Sequence, residues 1–460
     1  MQAAATGKPR VVLYNPRAVF YTMPLALLAL ASSLDRSKVD VVIIDGRLET
    51  DPVKAVIDAA RDALCVGITV LTGAPIHDAL AVSRAVKRAQ PGCPVVWGGW
   101  HPSLFSDECL ADPAVDIVVT GQGEEAFRDI VDGLMGGEPI AACHSRAMRD
   151  LNEYPAHDYS LIPVERYFAL KGSRQIDYIS SQGCRFRCAF CADPAVYARG
   201  WTGLSPERIA DEAAFLHDRY GMEDLAFQDE TFFTNASRTD ALADQFLRRD
   251  LGITWTATLR ADQACRIGDG VFAKAVRSGL RRVMVGVESG SQEMLNRLQK
   301  DMKLDQVRAT AAMCTRHRIG AIFNFIVGFP GESEESMQAT LRLAKELRRS
   351  NADFETPIFY YRPYPGNAMA EQSAERGYVF PRGLEEWADF DYVGGRGPWI
   401  TPSQWRHVER FKFYTRHAWK PGAWRWPLRA ASQWRCRHDW YDLPVEKLLA
   451  DFVRPPQQVS

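Results

Sequence analysis

The sequence predicts an α/β protein with an N-terminal doubly wound, Rossmann-like domain, a partial (β/α)6 barrel and a mainly helical C-terminal region. Three observations lead to this prediction. Two successive stretches alternate short apolar runs with amphipathic segments, as parallel sheets do. The chain of 460 residues exceeds what one ordinary core holds. The residues after 370 differ from the rest in being rich in Trp and Arg.

The first domain is predicted from five runs rich in β-branched residues, each closed by Gly, Pro, Asn or Asp. They lie at 10–16, 39–45, 64–70, 93–99 and 115–121. Doubly wound sheets bind ligands beyond the carboxyl ends of their strands. Here those ends carry "TVLTGAP", "GGWHPS" and "TGQGEE", whose glycines let the backbone approach a large ligand. Taken alone these loops are weak evidence, because any flavodoxin-like domain has glycine-rich strand ends.

A segment with little periodicity, at 139–172, is predicted to be a linker between domains. Strand and helix patterns then resume and predict a parallel barrel, with strands at 175–181, 225–233, 253–262, 281–291, 319–333 and 352–366. The predicted boundaries are therefore 1–138 for the first domain, 139–172 for the linker, 173–370 for the barrel and 371–460 for the C-terminal region.

Composition excludes several classes of protein. Hydrophobic residues make up 46% and charged residues 25% of the chain, as in soluble globular proteins. Lys and Arg number 56 against 57 Asp and Glu, so no global charge favours nucleic acid. The apolar run at 23–34 is about half of the ~20 residues that span a bilayer. Ten scattered cysteines do not resemble a disulfide framework, so we expect a cytoplasmic protein.

The C-terminal region has a local positive charge. Between Trp405 and Trp440 there are six Trp and nine Lys or Arg against two acidic residues, an excess of seven. An anionic substrate, a membrane surface or a nucleic-acid backbone fits this composition. The favoured interpretation is a helical cap whose Trp side chains pack inward while Arg stems extend outward. Such a cap would exclude water from a reactive site.

The stretch "GCRFRCAFC" places Cys184, Cys188 and Cys191 at spacing C-x3-C-x2-C in one loop after the first barrel strand. A structural zinc site prefers four ligands, usually in two separated pairs, and Cys265, Cys314 and Cys436 offer no second pair. A 4Fe-4S cluster takes one thiolate per iron, so three cysteines leave one iron open to a substrate or cofactor. We therefore predict an open 4Fe-4S cluster at the barrel mouth.

With this motif, including Phe190 before the last cysteine, the chain resembles the radical S-adenosylmethionine (SAM) enzymes that carry an N-terminal cobalamin domain. The resemblance covers roughly residues 10 to 370. It implies three cofactors: a 4Fe-4S cluster, SAM chelated by the free iron, and cobalamin. It also implies an electron donor of the flavodoxin or ferredoxin type and a small-molecule or natural-product substrate.

The resemblance further implies SAM-binding positions on later strand ends. Asp229 and Glu230 of "FQDETFF" correspond to contacts with the amino group, Arg260 of "TLRAD" to a carboxylate partner, and Glu288 and Ser289 of "GVESGS" to the ribose. Phe190 completes this SAM set. The alternative for Arg260 and Glu288 is an internal ion pair in the barrel mouth.

For cobalamin, the resemblance implies contacts from the strand-end loops of the first domain. The candidates are Thr69, Thr72, Gly73, Gly98, Gly99, His101, Thr120, Gly121, Gly123 and Glu124. Cobalamin proteins that replace the cofactor's own base with histidine carry Asp-x-His-x-x-Gly after the first strand, whereas this chain has "NPRAVFYT" there. We therefore expect the lower cobalt face to lack a histidine ligand, and we interpret His101 as a hydrogen-bonding loop residue.

The function implied is methylation of an unactivated carbon of a biosynthetic intermediate, through methylcobalamin and a 5′-deoxyadenosyl radical. One alternative is a cobalamin-dependent cyclase or rearrangement enzyme that does not methylate. A methylthiotransferase is disfavoured, because Cys65, Cys93, Cys109 and Cys143 are too dispersed for a second cluster. An alternative of another class is a cobalamin-binding sensor or partner module with a structural cluster.

Overall fold

The computed structural model describes residues 7–18, 21–391, 395–419 and 426–453. Its strands are β1 (Arg10–Asn15), β2 (Asp40–Asp45), β3 (Ala63–Thr69), β4 (Val95–Gly98), β5 (Ile117–Thr120), β6 (Cys143–Ser145), β7 (Gln175–Tyr178), β8 (Ser181–Gly183), β9 (Trp201–Gly203), β10 (Asp224–Phe227), β11 (Thr254–Leu259), β12 (Leu280–Glu288), β13 (Gly320–Val327), β14 (Phe354–Glu355) and β15 (Ile358–Tyr360).

The α-helices are α1 (Leu25–Ser33), α2 (Pro52–Ala59), α3 (Pro75–Ala89), α4 (Trp100–Leu104), α5 (Ser106–Leu110), α6 (Glu124–Gly136), α7 (Val164–Lys171), α8 (Asp193–Tyr197), α9 (Pro206–Tyr220), α10 (Ala236–Arg249), α11 (Ala261–Arg277), α12 (Gln292–Arg297), α13 (Leu304–Arg316), α14 (Glu334–Ser350), α15 (Ala368–Glu375), α16 (Leu384–Ala388), α17 (Pro402–Ala418), α18 (Trp426–His438) and α19 (Val445–Val453). Short 3-10 turns occur at Leu151–Glu153, Tyr159–Leu161 and Phe232–Thr234.

The chain divides into two compact units, each built from separate segments. The first comprises Met1–Arg185, Ala192–Glu230 and Phe380–Asp391. The second comprises Phe186–Cys191, Thr231–Val379 and Tyr392–Ser460. The chain therefore enters each unit more than once.

The first unit contains a six-stranded sheet in the order β2-β1-β3-β4-β5-β6, with every neighbouring pair parallel. The five predicted strands are confirmed, and β6 adds a sixth from the segment predicted to be a linker. Its buried core joins strand residues such as Val11, Leu13 and Val119 to Leu27 of α1 and Phe127 of α6. This core fixes the strand ends from which the site is built.

Two further strand pairs belong to the first unit. Strands β7 and β10 pair in parallel, from Gln175 beside Asp224 to Tyr178 beside Phe227. Strands β8 and β9, which precede and follow the cysteine loop in sequence, form a short antiparallel pair. Helix α9 lies between β9 and β10 in sequence, with Ser205 as its N-cap accepting from the Arg208 backbone N–H.

The second unit continues the alternation of strands and helices. Strands β11, β12 and β13 are successive parallel neighbours, and β14 and β15 both pair in parallel with β13. The buried positions of β13 alternate strictly, with Ala321, Phe323, Phe325 and Val327 on one face. The strands predicted for the barrel are thus confirmed as parallel strands that alternate with helices.

The C-terminal region is helical, as predicted, over its described residues. The Trp/Arg-rich stretch lies partly in 420–425, outside the described residues. Arg435 of α18 is buried and donates to the carbonyl oxygens of Trp440, Asp442 and Leu443. This arginine therefore holds the turn after α18 in place. The expectation that Trp side chains pack inward and Arg extends outward is wrong here, because Arg435 is buried while Trp434 and Trp440 are exposed. None of the helices in the described part of the chain combines the length and hydropathy needed to cross a bilayer.

Helix α16 returns to the first unit and packs on α3. Asp389 lies 2.8 Å from His77 Nε2, and Glu385 lies 2.5 Å from Arg84. Between these two contacts the fully buried Trp387 packs at a tilt against Phe105, with ring centroids 4.4 Å apart. The segment 380–391 thus covers one side of the first unit.

Candidate functional site

The cysteine loop begins after β8, at a position that only glycine can occupy. Gly183 has φ +80°, and a Cβ there would lie 2.4 Å from the carbonyl oxygen of Gly200 on the paired strand. Residues 184–188 have no regular secondary structure, and α8 begins at Asp193. Cys184, Cys188 and Cys191 are each partly exposed. Three thiols in one irregular, accessible loop suit a cluster that keeps one iron open.

Arg260 lies beside one of these thiols. Its Nη1 is 3.5 Å from Cys188 Sγ, and its guanidinium carbon is 3.7 Å from the centroid of Phe186. Asp262 accepts from Arg260 Nε at 2.9 Å, and the Lys300 carbonyl accepts from Nη2. A cluster held by thiolates is negatively charged, so this guanidinium would stabilise it electrostatically.

The three cysteine thiols do not lie close enough together to ligate one metal ion. Over the described ranges, no three His, Cys, Asp or Glu side chains are grouped closely enough to hold a metal ion. The assignment of the three cysteines as ligands therefore rests on their spacing, their shared loop and the adjacent arginine.

Glu288 forms a buried ion pair at the end of β12. Lys300 Nζ lies 2.7 Å from Glu288 Oε1, and the side chains are 7% and 9% exposed. Burial opposes the charged ammonium, yet the neighbouring carboxylate raises the pKa of Lys300 above its usual value. Glu288 has φ +68°, where β12 shifts register against β13. Such strain in a non-glycine residue marks functional sites more often than ordinary strand ends.

The ion pair between Glu288 and Lys300 leads to a prediction about the free energy of unfolding of three variants. Lys300→Met should lower the free energy of unfolding by about 3 kcal/mol, because it leaves the Glu288 carboxylate buried without its partner. Adding Glu288→Leu should restore most of that loss. Urea denaturation of the wild type, both single variants and the double variant measures the coupling. Additive losses in the double variant would show that the two side chains do not act as a pair.

Two more of the residues predicted to bind SAM form hydrogen bonds with other residues of the protein. Asp229 is 1% exposed and accepts hydrogen bonds from Ser180 N, Ser180 Oγ and Ser181 Oγ at 2.5–2.7 Å. Ser289 Oγ accepts from the backbone N–H of Ser291 at 3.1 Å. These contacts fix the turns after β7 and β12. Their assignment to SAM stays a prediction.

Phe190 and Glu230 are placed differently. Phe190 packs edge-on against Phe329, with centroids 6.0 Å apart, and Lys300 Nζ lies 5.8 Å from its ring. Glu230 lines a cavity of the first unit and accepts from the Gly183 backbone N–H at 3.2 Å. The Glu230 side chain is exposed in the cavity, and the surrounding protein together with neighbouring carboxylates shifts its pKa upward.

This cavity encloses about 390 Å³ at the carboxyl ends of the first sheet. Six of the ten residues predicted to bind cobalamin line it: Thr69, Gly98, Gly99, Gly121, Gly123 and Glu124. Thr72, Gly73, His101 and Thr120 are not among the lining residues. The assignment of all ten residues to cobalamin stays a prediction.

The glycines fit a large ligand that approaches the backbone. Gly99 has φ +100°, and a Cβ there would meet Thr69 Oγ1 and Val70 N at 3.0 Å. Gly98 has ordinary contacts only, with Val119 atoms at 3.7 and 3.8 Å from an added Cβ. Both lie on the cavity wall, so the wall is made of bare backbone where a corrinoid would rest.

His101 is a buried structural residue. Its Nδ1 lies 3.2 Å from Thr72 Oγ1, and its ring lies 4.9 Å from that of Phe105 and 5.9 Å from that of Trp387. Burial lowers the pKa of His101 to about 4, so the ring is neutral at pH 7. His101 lies in the short helix α4, so the prediction of a loop position is wrong, while its contact with Thr72 fits a hydrogen-bonding role.

Sequence reasoning missed several residues of the cavity wall. Tyr154 and His157 come from the segment predicted to be a linker, and Arg208 and Glu212 come from α9. Burial, with a smaller contribution from Arg208, lowers the pKa of His157 to about 4. No spacing motif marks these residues, because the cavity wall joins positions far apart in sequence. Arg47 also lines the cavity and lies just beyond the end of β2, a position at which ligand-binding residues are expected.

Two family profiles match the chain. The B12 binding domain matches residues 12–131, and the Radical SAM superfamily matches residues 178–344. Together with the relatives below, they show that the chain belongs to the cobalamin-dependent radical SAM enzymes.

An uncharacterized methyltransferase of Pyrococcus horikoshii is 30% identical over 82% of this chain and 84% of its own length. The anaerobic magnesium-protoporphyrin IX monomethyl ester cyclase of Rubrivivax gelatinosus is 22% identical over 74% of this chain, which spans 64% of that relative. The radical SAM methyltransferase TsrM of Kitasatospora setae, solved with cobalamin and a [4Fe-4S] cluster, shares the fold with TM-score 0.71 at 15% identity, covering 89% of each chain.

These findings confirm the resemblance, the fold class and the enzymatic nature of the chain. They also confirm the cofactor set expected for the family: cobalamin, a 4Fe-4S cluster and SAM. A sensor or partner module is therefore not favoured.

Proposed function

We propose that this chain is a cobalamin-dependent radical SAM methyltransferase that methylates an unactivated carbon of a small biosynthetic intermediate. The observation that carries the proposal is a glycine-walled cavity in a B12-binding domain, on the same chain as a three-cysteine radical SAM loop. The 30% identity with a methyltransferase over most of both chains supports methylation as the outcome. An electron donor of the flavodoxin or ferredoxin type and a cytoplasmic location remain part of the proposal.

The chain's own residues would place and isolate the reacting groups. Bound cobalamin and cluster-bound SAM would supply methyl transfer and hydrogen-atom abstraction. Cys184, Cys188 and Cys191 would hold the cluster, and the walls formed by Gly98 and Gly99 would hold the corrinoid. The Glu230 carboxyl lines the same cavity and would offer a polar contact to a bound ligand.

A second candidate is a cyclase or rearrangement enzyme that uses the same cofactors without methyl transfer. It is favoured by the similarity to the cyclase of Rubrivivax gelatinosus over 74% of this chain. Both candidates need the same cofactor sites, so the residues described above do not separate them. Product chemistry does.

The test uses methyl-labelled SAM, a one-electron reductant and a small-molecule extract of the native host. For the methyltransferase, label should appear on carbon in a product. Deoxyadenosine and S-adenosylhomocysteine should form in comparable amounts, since one reports hydrogen abstraction and the other reports methylation of the cofactor. Mass spectrometry follows all three. Product formed with deoxyadenosine, but without label or S-adenosylhomocysteine, would replace the methyltransferase with the cyclase.

A further inference from the structure

The C-terminal helix α19 turns a polar residue toward the protein. Glu446 accepts from Tyr414 Oη at 2.9 Å and forms an ion pair with Arg435 at 2.8 Å. Tyr414 is fully buried and Arg435 is 4% exposed. The inward side of this helix is therefore held by charge and hydrogen bonds.

The outward side of α19 is apolar. Val445, Leu448 and Leu449 are 56%, 64% and 62% exposed, and Leu443 before the helix is 71% exposed. Spacings of three and four residues place the helical residues on one face. A soluble protein normally buries such a stripe, so its exposure indicates a surface that contacts something else.

Two tryptophans close to this helix in sequence are also exposed. Trp434 and Trp440 are 51% and 39% exposed, and their rings meet edge to face with centroids 5.7 Å apart. Trp434 lies in the last turns of α18, and Trp440 lies in the segment that leads from α18 to α19. We call the following six residues the C-terminal apolar face: Trp434, Trp440, Leu443, Val445, Leu448 and Leu449.

The charges around the C-terminal apolar face favour an anionic partner. Its acidic neighbours are neutralised in four ion pairs: Asp439 with Lys345, Asp442 with Arg410, Glu446 with Arg435 and Asp451 with Lys447. Arg429 and Arg437 of α18 are exposed, and within the described residues they form no ion pair. Exposed Trp, aliphatic side chains and unpaired Arg together match the composition of helices that lie at a lipid–water interface.

We propose that the C-terminal apolar face docks this enzyme on an anionic lipid bilayer. The Leu, Val and Trp side chains would enter the boundary between headgroups and acyl chains. Arg429 and Arg437 would contact lipid phosphates. The proposal concerns where the enzyme works and does not depend on which reaction it catalyses.

The experiment is sedimentation of the full chain with vesicles of phosphatidylcholine, with and without phosphatidylglycerol. Binding is expected on the anionic vesicles, and it should weaken as salt is raised. The double variant Leu448→Ser with Leu449→Ser should bind at least about tenfold more weakly, because it lacks the apolar surface of two leucine side chains. Arg429→Gln and Arg437→Gln should each weaken binding about fivefold.

Matched controls remove equally exposed groups elsewhere. Phe215 of α9 is 61% exposed and Arg88 of α3 is exposed, so Phe215→Ser and Arg88→Gln should leave vesicle binding unchanged. Circular dichroism shows whether each variant is folded. The proposal is overturned if the wild type does not sediment with either vesicle, or if the controls lose binding as much as the double variant. It is also overturned if ultracentrifugation shows a dimer that Leu448→Ser with Leu449→Ser dissociates, because a second copy would then cover the face.

Discussion

Replacing Cys184, Cys188 and Cys191 together with alanine is expected to remove the iron, the brown absorbance and all SAM-derived deoxyadenosine. The thiolates are the only protein ligands that the motif supplies, and three irons without ligands do not stay assembled. Iron analysis and the visible spectrum after anaerobic reconstitution report the cluster, and chromatography with dithionite and SAM reports deoxyadenosine. We expect loss to the detection limit, since no partial ligand set remains.

The matched control is Cys265→Ala, which removes an exposed cysteine outside the motif. It should keep the iron content and the deoxyadenosine formed by the wild type. A triple variant that retained both would show that another set of residues holds the metal.

The variant Gly98→Leu, which adds a side chain to the cavity wall, should weaken cobalamin binding by at least about tenfold. A steric clash with the ligand that costs more than ~1.4 kcal/mol has an effect of this size. The added Cβ meets only Val119, at distances of ordinary van der Waals contact, so the variant should fold. Because Gly98 and Val119 both line the cavity, the rest of the leucine side chain is expected to fill part of it. Titration of the apoprotein with hydroxocobalamin, followed by absorbance, measures the affinity.

Gly92→Leu is the control, because an added Cβ at Gly92 has no atom within 4 Å and this glycine does not line the cavity. It should bind cobalamin as the wild type does. Equal affinities for the wild type and Gly98→Leu would place the cofactor elsewhere than in this cavity.

The features readable from the sequence are those encoded within a few residues. Strands such as β1 and β12 are marked by β-branched runs, and the cysteine loop by its spacing. The strand ends at Gly98 and Gly121 followed from the rule that parallel sheets bind ligands at their carboxyl edge. Each of these signals lies within a few neighbouring residues, so it can be recognised in a single sequence.

The features that escaped prediction join distant positions. An internal ion pair was one of the two alternatives for Glu288, but its partner Lys300 lies in a loop that no pattern connects to β12. His157 reaches the cavity from a segment whose lack of periodicity suggested only a linker. Periodicity reports which way a side chain faces within its own element. It does not report which element lies opposite.

Helix α16 has a consequence for the order in which the protein is made. The stretch from the end of α6 to α16 takes roughly ten to fifty seconds to synthesise at the usual ~5–20 residues per second. During that time the surface formed by His101, Phe105 and α3 has emerged from the ribosome without Trp387 over it. The nascent first unit therefore stays incomplete, with an apolar surface that chaperones recognise, until translation has passed residue 391. Translation that terminates early, between α6 and α16, would yield a first unit that lacks at least its last segment.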